Sequence, residues 1–227
     1  MEIIQGLHKI DGIRYVNSYL LVRENGIVVI DTGMPGNAER IVSYVENLGY
    51  KSSYIKTIIL THSDIDHSGS AKKLRELTGA KIAISDIDAP RVEGKMELKK
   101  LKGPFAPFLR AMFKLSKFQI FEPDVLLREG DQIEGLSVIR TPGHTDGSIS
   151  LYSRGNLSMF VGDALWGDDK GEAKSPSSIV TADMEEAWKS IKKISAFECN
   201  IILPGHGNPI MPEATKKVKE LLAKYPL

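Results

Sequence analysis

Short apolar runs that recur along the chain are the feature that most constrains its fold. Eight of them are rich in Ile, Val, Leu and Tyr and are bounded by Gly, Asn, Asp or Pro: YVNSYLLV, GIVVID, IKTIIL, KIAIS, LSVIRT, SISLYS, LSMFVGD and NIILPG. Runs of this length and composition predict β-strands. SISLYS and LSMFVGD flank Arg154-Gly155-Asn156, which predicts a hairpin turn between them.

Amphipathic segments between these runs predict helices. They read NAERIVSYVENLG, SAKKLRELTG, DMEEAWKSIKKI and EATKKVKELLAKY. The first ends at a glycine that can cap a helix, and it places four apolar residues on one face: Ile41, Val42, Val45 and Leu48. The third opens with Asp183 and has Glu186 three residues later, which is the spacing of a capping box. Strands with helices at intervals predict a layered α/β protein with much antiparallel sheet.

Composition narrows the class of protein. A chain of 227 residues with 42% hydrophobic and 26% charged residues predicts one globular domain, residues 1–227, with a sizeable core. A net charge of +1 creates no field that would favour nucleic acid. Cys199 is the single cysteine, so an internal disulfide is excluded. We find neither a signal peptide nor an apolar run long enough to span a bilayer, and we therefore expect a cytoplasmic protein.

Residues 91–121 differ from the rest of the chain. They hold eight Lys or Arg against two Glu, and five of the seven Phe. This composition predicts a basic, apolar, mainly helical insertion. It could serve as a lid over a site, as a contact in a homodimer, or as a surface helix that touches a membrane, and we favour the first two.

The stretch THSDIDHSGS collects polar groups directly behind the apolar run IKTIIL. Side chains two residues apart at a strand end point to the same side, about 7 Å apart between Cα atoms, so His62 and Asp64 could aim at one point. A turn could send Asp66 and His67 to a neighbouring point. Imidazole and carboxylate are ligand types that divalent metal ions accept. The stretch therefore predicts a metal site.

Other candidate ligands follow apolar runs in the same way. His144 follows LSVIRT, Asp163 ends LSMFVGD and His206 follows NIILPG, and each lies beside a glycine that permits close backbone approach. Since α/β architectures build sites where strand ends meet, we expect these residues to converge on one rim.

Five ordered motifs carry a resemblance to a known family. They are DTG at 31–33, THSDIDH at 61–67, TPGHTDGS at 141–148, GD at 162–163 and LPGHG at 203–207. Together they resemble the metallo-β-lactamase-fold hydrolases, glyoxalase II-like enzymes among them, from about residue 10 to 210. The resemblance implies an αββα four-layer sandwich with a dinuclear metal site.

The resemblance also implies a role for each motif residue. One divalent ion (Zn, Fe or Mn) would be held by His62, Asp64 and His144. The second would be held by Asp66, His67 and His206, and Asp163 would bridge the two ions. Asp31 would orient a ligand from behind, as such carboxylates do.

Asp64 departs from the family motif H-x-H-x-D-H, which has a second histidine at this position. The formal charges of two divalent ions, one hydroxide and three carboxylates (Asp64, Asp66 and Asp163) cancel, whereas a histidine at 64 would leave a net positive charge. The extra carboxylate therefore shifts the expected preference from zinc toward iron or manganese.

The activity implied is hydrolysis of a small ester, thioester or lactone-like substrate by a hydroxide shared between two metal ions. Asp66 would be the catalytic group that orients this hydroxide and takes its proton.

Three alternatives stay open. Asp64 also suits a dinuclear iron oxidoreductase that works with a separate flavoprotein. The second alternative is a phosphodiesterase, and the third is a non-catalytic partner protein. Glyoxalase II-like enzymes usually carry a C-terminal helical domain, and only about twenty residues follow His206 here.

Overall fold

The computed structural model describes residues 1–97 and 118–225. These fall into two compact units, one built from residues 1–97 and 118–126 and the other from residues 127–225. Most of the predicted insertion at 91–121 lies outside the described residues, so its helical character and its three possible roles stay predictions. The single-domain organisation stays a prediction as well.

The described part of the first unit is organised around a seven-stranded sheet in which strands follow chain order. Its strands are β1 (Glu2–Ile4), β2 (Leu7–Lys9), β3 (Tyr19–Arg23), β4 (Gly26–Ile30), β5 (Ile55–Ile59), β6 (Lys81–Ser85) and β7 (Val125–Leu127). Strands β1 to β4 pair antiparallel, whereas β4, β5 and β6 are parallel. The parallel strands β4 and β5 are almost entirely buried, as strands covered on both faces are.

The helices of the first unit lie between or after its parallel strands. They are α1 (Ala38–Asn47), α2 (Ile65–Ser68), α3 (Ala71–Thr78) and α4 (Ala89–Val92), with a short 3₁₀ turn at Ser52–Tyr54. Ile41 and Val45 of α1 are buried as expected, but Leu48 is 37% exposed. The helix ends one residue before Leu48, and Gly49 with φ +89° turns the chain away, so Leu48 leaves the predicted apolar face.

The second unit has a five-stranded sheet among its described residues, in the order β14-β11-β10-β9-β8. The strands are β8 (Gln132–Ile133), β9 (Leu136–Arg140), β10 (Ile149–Ser153), β11 (Ser158–Gly162) and β14 (Ile201–Pro204), and β12 (Trp166–Gly167) pairs with β13 (Ala173–Lys174) outside the sheet. Ser153 pairs with Ser158, so the predicted hairpin at 154–156 is confirmed. The β11 and β14 strands are parallel neighbours.

Helices α5 (Met184–Ile194) and α6 (Ala214–Lys224) complete the second unit. The side chain of Asp183 caps α5 by accepting hydrogen bonds from the backbone N–H groups of Glu185 and Glu186. The predicted reciprocal bond from Glu186 is not formed, because the N–H of Asp183 donates to the carbonyl of Gly143 at 2.9 Å. The start of α5 is thereby tied to the loop that carries His144.

All eight apolar runs contain a strand and all four amphipathic segments contain a helix. The predicted mixed α/β class with much antiparallel pairing is therefore confirmed. Within residues 1–97 and 118–225 every helix is too short or too polar to cross a bilayer.

Candidate metal centre

Three parallel strands of the first unit end at the same edge of its sheet, because parallel neighbours run in one direction. Asp31 follows β4 directly, the stretch 61–67 follows β5, and Asp88 lies three residues beyond β6. Polar residues lie at this edge because each apolar strand ends where a polar stretch of the sequence begins. This edge collects the polar side chains of the first unit.

Asp31 is held in place by three hydrogen bonds. Its carboxylate accepts from the N–H and the hydroxyl of Thr61 and from Nδ1 of His67, each at 2.8 Å. Asp31 is 2% exposed and adopts a left-handed backbone with φ +57°. Since a carboxylate only accepts, the hydrogen of His67 resides on Nδ1, and the lone pair of the imidazole is on Nε2.

The backbone of His67 is also anchored. Its carbonyl accepts from the N–H of Thr32 at 2.7 Å and from the hydroxyl of Thr32 at 2.9 Å. The DTG motif therefore fixes His67 from two sides, with Asp31 on the ring and Thr32 on the main chain. These hydrogen bonds hold the two motifs together although 36 residues separate Asp31 from His67.

The imidazole rings of His62 and His67 lie side by side, with 4.0 Å between their centroids. Nε2 of His62 is 3.8 Å from Oδ2 of Asp64, and Nε2 of His67 is 3.8 Å from Oδ2 of Asp66. Both histidines are fully buried, whereas the side chains of Asp64 and Asp66 are 19% and 28% exposed. The Nε2 atom of each histidine thus has one carboxylate oxygen as a neighbour.

Asp88 was not among the residues predicted from the sequence. Its fully buried carboxylate accepts from the N–H of Ser63 at 2.8 Å and from Arg91 at 2.5 Å. Ser63 lies between His62 and Asp64, so Asp88 fixes the peptide that presents both. The signal available was an acidic residue shortly after the strand KIAIS, the same pattern that identified the other candidates.

In the second unit, Asp163 follows β11 directly and His206 follows its parallel neighbour β14. The N–H of Gly205 donates to the carbonyl of Gly162 at 2.7 Å, which holds the two strand ends together. Oδ2 of Asp163 is 3.3 Å from Nε2 of His206 and 3.3 Å from Nε2 of His144. One buried carboxylate oxygen therefore faces two imidazole nitrogens.

His144 lies in a loop that packs tightly on α5. Gly143 has φ +130°, and a Cβ atom there would lie 2.4 Å from the backbone nitrogen of Ala187. The N–H of Thr145 donates to Ser148 Oγ at 3.1 Å, which closes the loop on the other side. The glycine is needed because any side chain at 143 would push the loop off the helix.

Two further polar groups from the sequence have structural roles. His8, which we did not expect to be a ligand, is buried in β2 with its Nδ1 3.3 Å from Tyr44 Oη, and burial lowers its pKa. Asp168 lies in the loop after Asp163 and accepts hydrogen bonds from the N–H groups of Glu172 and Lys170. These bonds lower the pKa of Asp168 and make it a loop-forming residue.

The donor atoms suit divalent metal ions. Both units contain His and Asp side chains that could hold an ion. Two ligand atoms at 2.0–2.2 Å from one tetrahedral ion are themselves about 3.4 Å apart. The nitrogen–oxygen spacings of 3.8 Å in the first unit and 3.3 Å in the second are close to this value. Neutral imidazole with carboxylate is the ligand mixture used by zinc, iron and manganese.

Comparison with known proteins identifies the class. Residues 11–206 match the model of the metallo-β-lactamase superfamily, and the chain belongs to that family. It is 28% identical to the probable metallo-hydrolase YflN of Bacillus subtilis, over 92% of this chain and 86% of that protein. It is 29% identical to the hydroxyacylglutathione hydrolase GloC of Haemophilus influenzae, over 82% of each.

A solved structure agrees on the fold. The crystal structure of TTHA1623 in a di-iron-bound form superposes with a TM-score of 0.71, covers 96% of each chain and is 22% identical in sequence. The fold is therefore that of the metallo-β-lactamases, as the motifs predicted. The chain is a metal-dependent hydrolase of this superfamily.

Proposed function

We propose that seven side chains of this enzyme hold two divalent metal ions and that the enzyme hydrolyses small thioesters or related activated esters. The ligands are His62, Asp64, Asp66, His67, His144, Asp163 and His206. One ion would be bound by His62, Asp64 and His144, the other by Asp66, His67 and His206, with Asp163 shared by both. Asp31 would hold His67 in the binding tautomer.

The observation that carries the proposal is the single oxygen of Asp163 that lies 3.3 Å from Nε2 of both His144 and His206. These groups are largely buried, and the carboxylate is 3% exposed. A buried carboxylate shared between two imidazoles suits a pair of cations, which would offset its desolvation.

The first unit supports the same proposal. His62 and His67 each have a carboxylate oxygen 3.8 Å from Nε2. The hydrogen bond from Nδ1 of His67 to Asp31 keeps the opposite nitrogen available as a ligand. Two adjacent imidazole–carboxylate pairs supply the matching half of a two-ion donor set.

When bound, two divalent ions lower the pKa of water toward neutrality and polarise a substrate carbonyl. Asp66 is the residue to take up the proton of the attacking water at its carboxylate, since it is the most exposed acid beside His67. The buried Asp31–Thr61–His67 network holds these groups rigid, so they need no rearrangement during the reaction.

Thioesters are the preferred substrate class because the chain matches GloC, named as a hydroxyacylglutathione hydrolase, over equal shares of the two proteins. The test compares kcat/KM for a hydroxyacyl thioester of glutathione, a lactone and bis-p-nitrophenyl phosphate, with protein purified without chelator and metal content measured. The thioester should be hydrolysed fastest. Activity confined to the phosphate diester would overturn the substrate class, and activity that survives Asp163→Ala would overturn the site.

Metal identity belongs to the same proposal. Asp64 adds a carboxylate to the donor set, which favours iron or manganese over zinc. Elemental analysis of the purified protein should find iron or manganese at about two ions per chain, the number that a dinuclear site requires. Zinc alone at that stoichiometry would contradict the role given to Asp64.

A second function is favoured by Asp64 together with the di-iron-bound form of TTHA1623. The enzyme would then be a dinuclear iron oxidoreductase that accepts electrons from a separate flavoprotein. An anaerobic redox titration of the iron-loaded protein separates this from hydrolysis. A site that is silent in the titration removes the oxidoreductase.

A further inference from the structure

Trp166 packs against the imidazole of His206 in the second unit. The two ring centroids are 4.9 Å apart and the planes are tilted by 50°. Trp166 lies three residues after Asp163, at the start of the short strand β12. The contact joins the loop after β11 to the loop after β14.

The backbone segments beside the two rings are also held against each other. The N–H of Gly167 donates to the carbonyl of His206 at 3.1 Å. A Cβ atom on Gly167 would lie 1.8 Å from the carbonyl oxygen of Asn208, and one on Gly207 would lie 1.8 Å from that of Gly167. The chain at 166–167 therefore touches the chain at 206–208 with no room for a side chain between them.

The indole N–H of Trp166 is buried, and it has no acceptor within the part of the chain that the structure describes. Burying an N–H without an acceptor is unfavourable, and buried tryptophans usually have one. A hydrogen bond therefore does not explain why the indole is at this position. Its contact with the imidazole, together with the locked backbone, gives a reason.

We infer that Trp166 is a positioning residue that orients the imidazole of His206, so that its Nε2 stays directed at Asp163. The inference rests on the proposed metal centre, in which His206 binds one of the two ions. Without the ring, His206 could rotate about its side-chain bonds, and one ion would lose a ligand while the other kept its set. Since the indole N–H has no acceptor among residues 1–97 and 118–225, phenylalanine should replace the indole with little loss.

The test measures metal binding to Trp166→Ala, Trp166→Phe, His206→Ala and the parent protein. Co²⁺ is titrated into metal-free protein, and affinities are measured by competition with a chelator. Trp166→Ala should bind one ion about tenfold more weakly, the size of effect expected when the support of a metal ligand is removed, and bind the other unchanged. Trp166→Phe should stay within about threefold of the parent protein, a smaller loss than removal of the whole support gives.

Fluorescence gives a second readout that leaves Trp166 intact. Trp166 and Trp188 are the two tryptophans of the chain, and Trp188 packs on Tyr225. In Trp188→Phe protein only Trp166 emits, so Co²⁺ at the neighbouring His206 should quench the emission. Adding His206→Ala to this variant should remove the quenching that accompanies one ion.

The outcomes separate the inference from the proposed function. If His206→Ala leaves the affinities of both ions unchanged, the proposed metal centre fails. If His206→Ala loses one ion but Trp166→Ala does not, the centre stands and the role of Trp166 is overturned. Loss of both ions in a folded Trp166→Ala protein would also overturn it. If Trp166→Ala does not fold, the fluorescence of Trp188→Phe protein decides. Unquenched emission with two Co²⁺ ions bound overturns the positioning role of Trp166. Quenching that is removed by adding His206→Ala supports that role.

Discussion

Oδ2 of Asp31 lies 2.8 Å from Nδ1 of His67, although 36 residues separate them in the chain. The same carboxylate accepts two hydrogen bonds from Thr61, the residue before His62. One buried acid thus links the end of β4 to the beginning and the end of the stretch that follows β5. Its loss should affect both the fold of this edge and the tautomer of His67.

Replacing Asp31 with alanine should weaken the binding of one metal ion by about 10–100-fold, because His67 loses the group that fixes its tautomer. Unfolding of the metal-free protein should become easier by about 1–3 kcal/mol for the buried donors left without an acceptor. Asp31→Asn should lose less, since asparagine keeps one acceptor and tolerates the left-handed backbone. Metal competition and urea unfolding measure the two effects.

Asp169→Asn is the matched control, because this aspartate is exposed and lies in the loop beyond Asp163. It should leave both measurements unchanged. Loss of stability in Asp31→Ala with metal affinity intact would show that Asp31 supports only the fold.

Asp163 and Asp64 should differ in the number of ions they control. Asp163→Ala should lower the affinity for both ions, because its oxygen faces two imidazoles, whereas Asp64→Ala should affect mainly one. Asp64→His restores the family motif and should raise the affinity for Zn²⁺ relative to Mn²⁺. Metal content by elemental analysis and chelator competition measures each effect. Equal losses from the two alanine variants would mean that the shared ligand is wrongly assigned.

The local parts of this structure could be predicted from the sequence. Asp163 and His206 are recognisable in the sequence because each lies at the end of an apolar run, and both runs form strands that end next to these residues. The pattern is readable because a buried strand needs continuous apolar residues and a site needs polar ones, so the change of character marks the strand end.

The contacts that give Asp88 and Trp166 their roles could not be predicted from the sequence. Asp88 matters because β6 pairs with β5, which brings it to the N–H of Ser63. Trp166 matters because β11 pairs with β14, which brings it to His206. Both depend on which strands become neighbours, and that choice is made by packing across the whole sheet and not by any short stretch.

His8 should give the folded protein a measurable sensitivity to acid. Burial lowers its pKa from the ordinary value of 6.5, partly opposed by Glu2 and assisted by the N-terminal amine, and Tyr44 Oη lies 3.3 Å from Nδ1. The unfolded chain then takes up the proton first as pH falls through 6.5. Stability is therefore lost below that pH, until the folded protein is protonated too.

The measurement is the free energy of unfolding of the parent protein and of His8→Gln between pH 8 and pH 5. The parent should lose more stability over this interval, by about 1.4 kcal/mol for each unit by which the folded state lowers the pKa. At pH 8 the histidine is neutral in both states, so the difference there gives the cost of the substitution itself. Parallel curves would contradict the effect of burial.

Three glycines allow the cost of backbone strain to be separated from the cost of steric contact: Gly143, Gly49 and Gly155. Gly143 has φ +130°, and a Cβ there would lie 2.4 Å from the nitrogen of Ala187. Gly49 has φ +89° but open space around it, and Gly155 has open space without a positive φ. Gly155→Ala should change stability by about 0.5 kcal/mol or less, and Gly49→Ala should cost about 1–2 kcal/mol from strain alone.

Gly143→Ala should cost more than Gly49→Ala, by a further 1–3 kcal/mol or so, because the loop must move away from α5 as well as adopt a strained backbone. Since that loop carries His144, the variant should also bind one metal ion more weakly, and the other two should not. Urea unfolding of the metal-free proteins and chelator competition measure these effects. Equal costs for Gly143→Ala and Gly49→Ala would mean that the loop does not touch the helix, and His144 would then need another support.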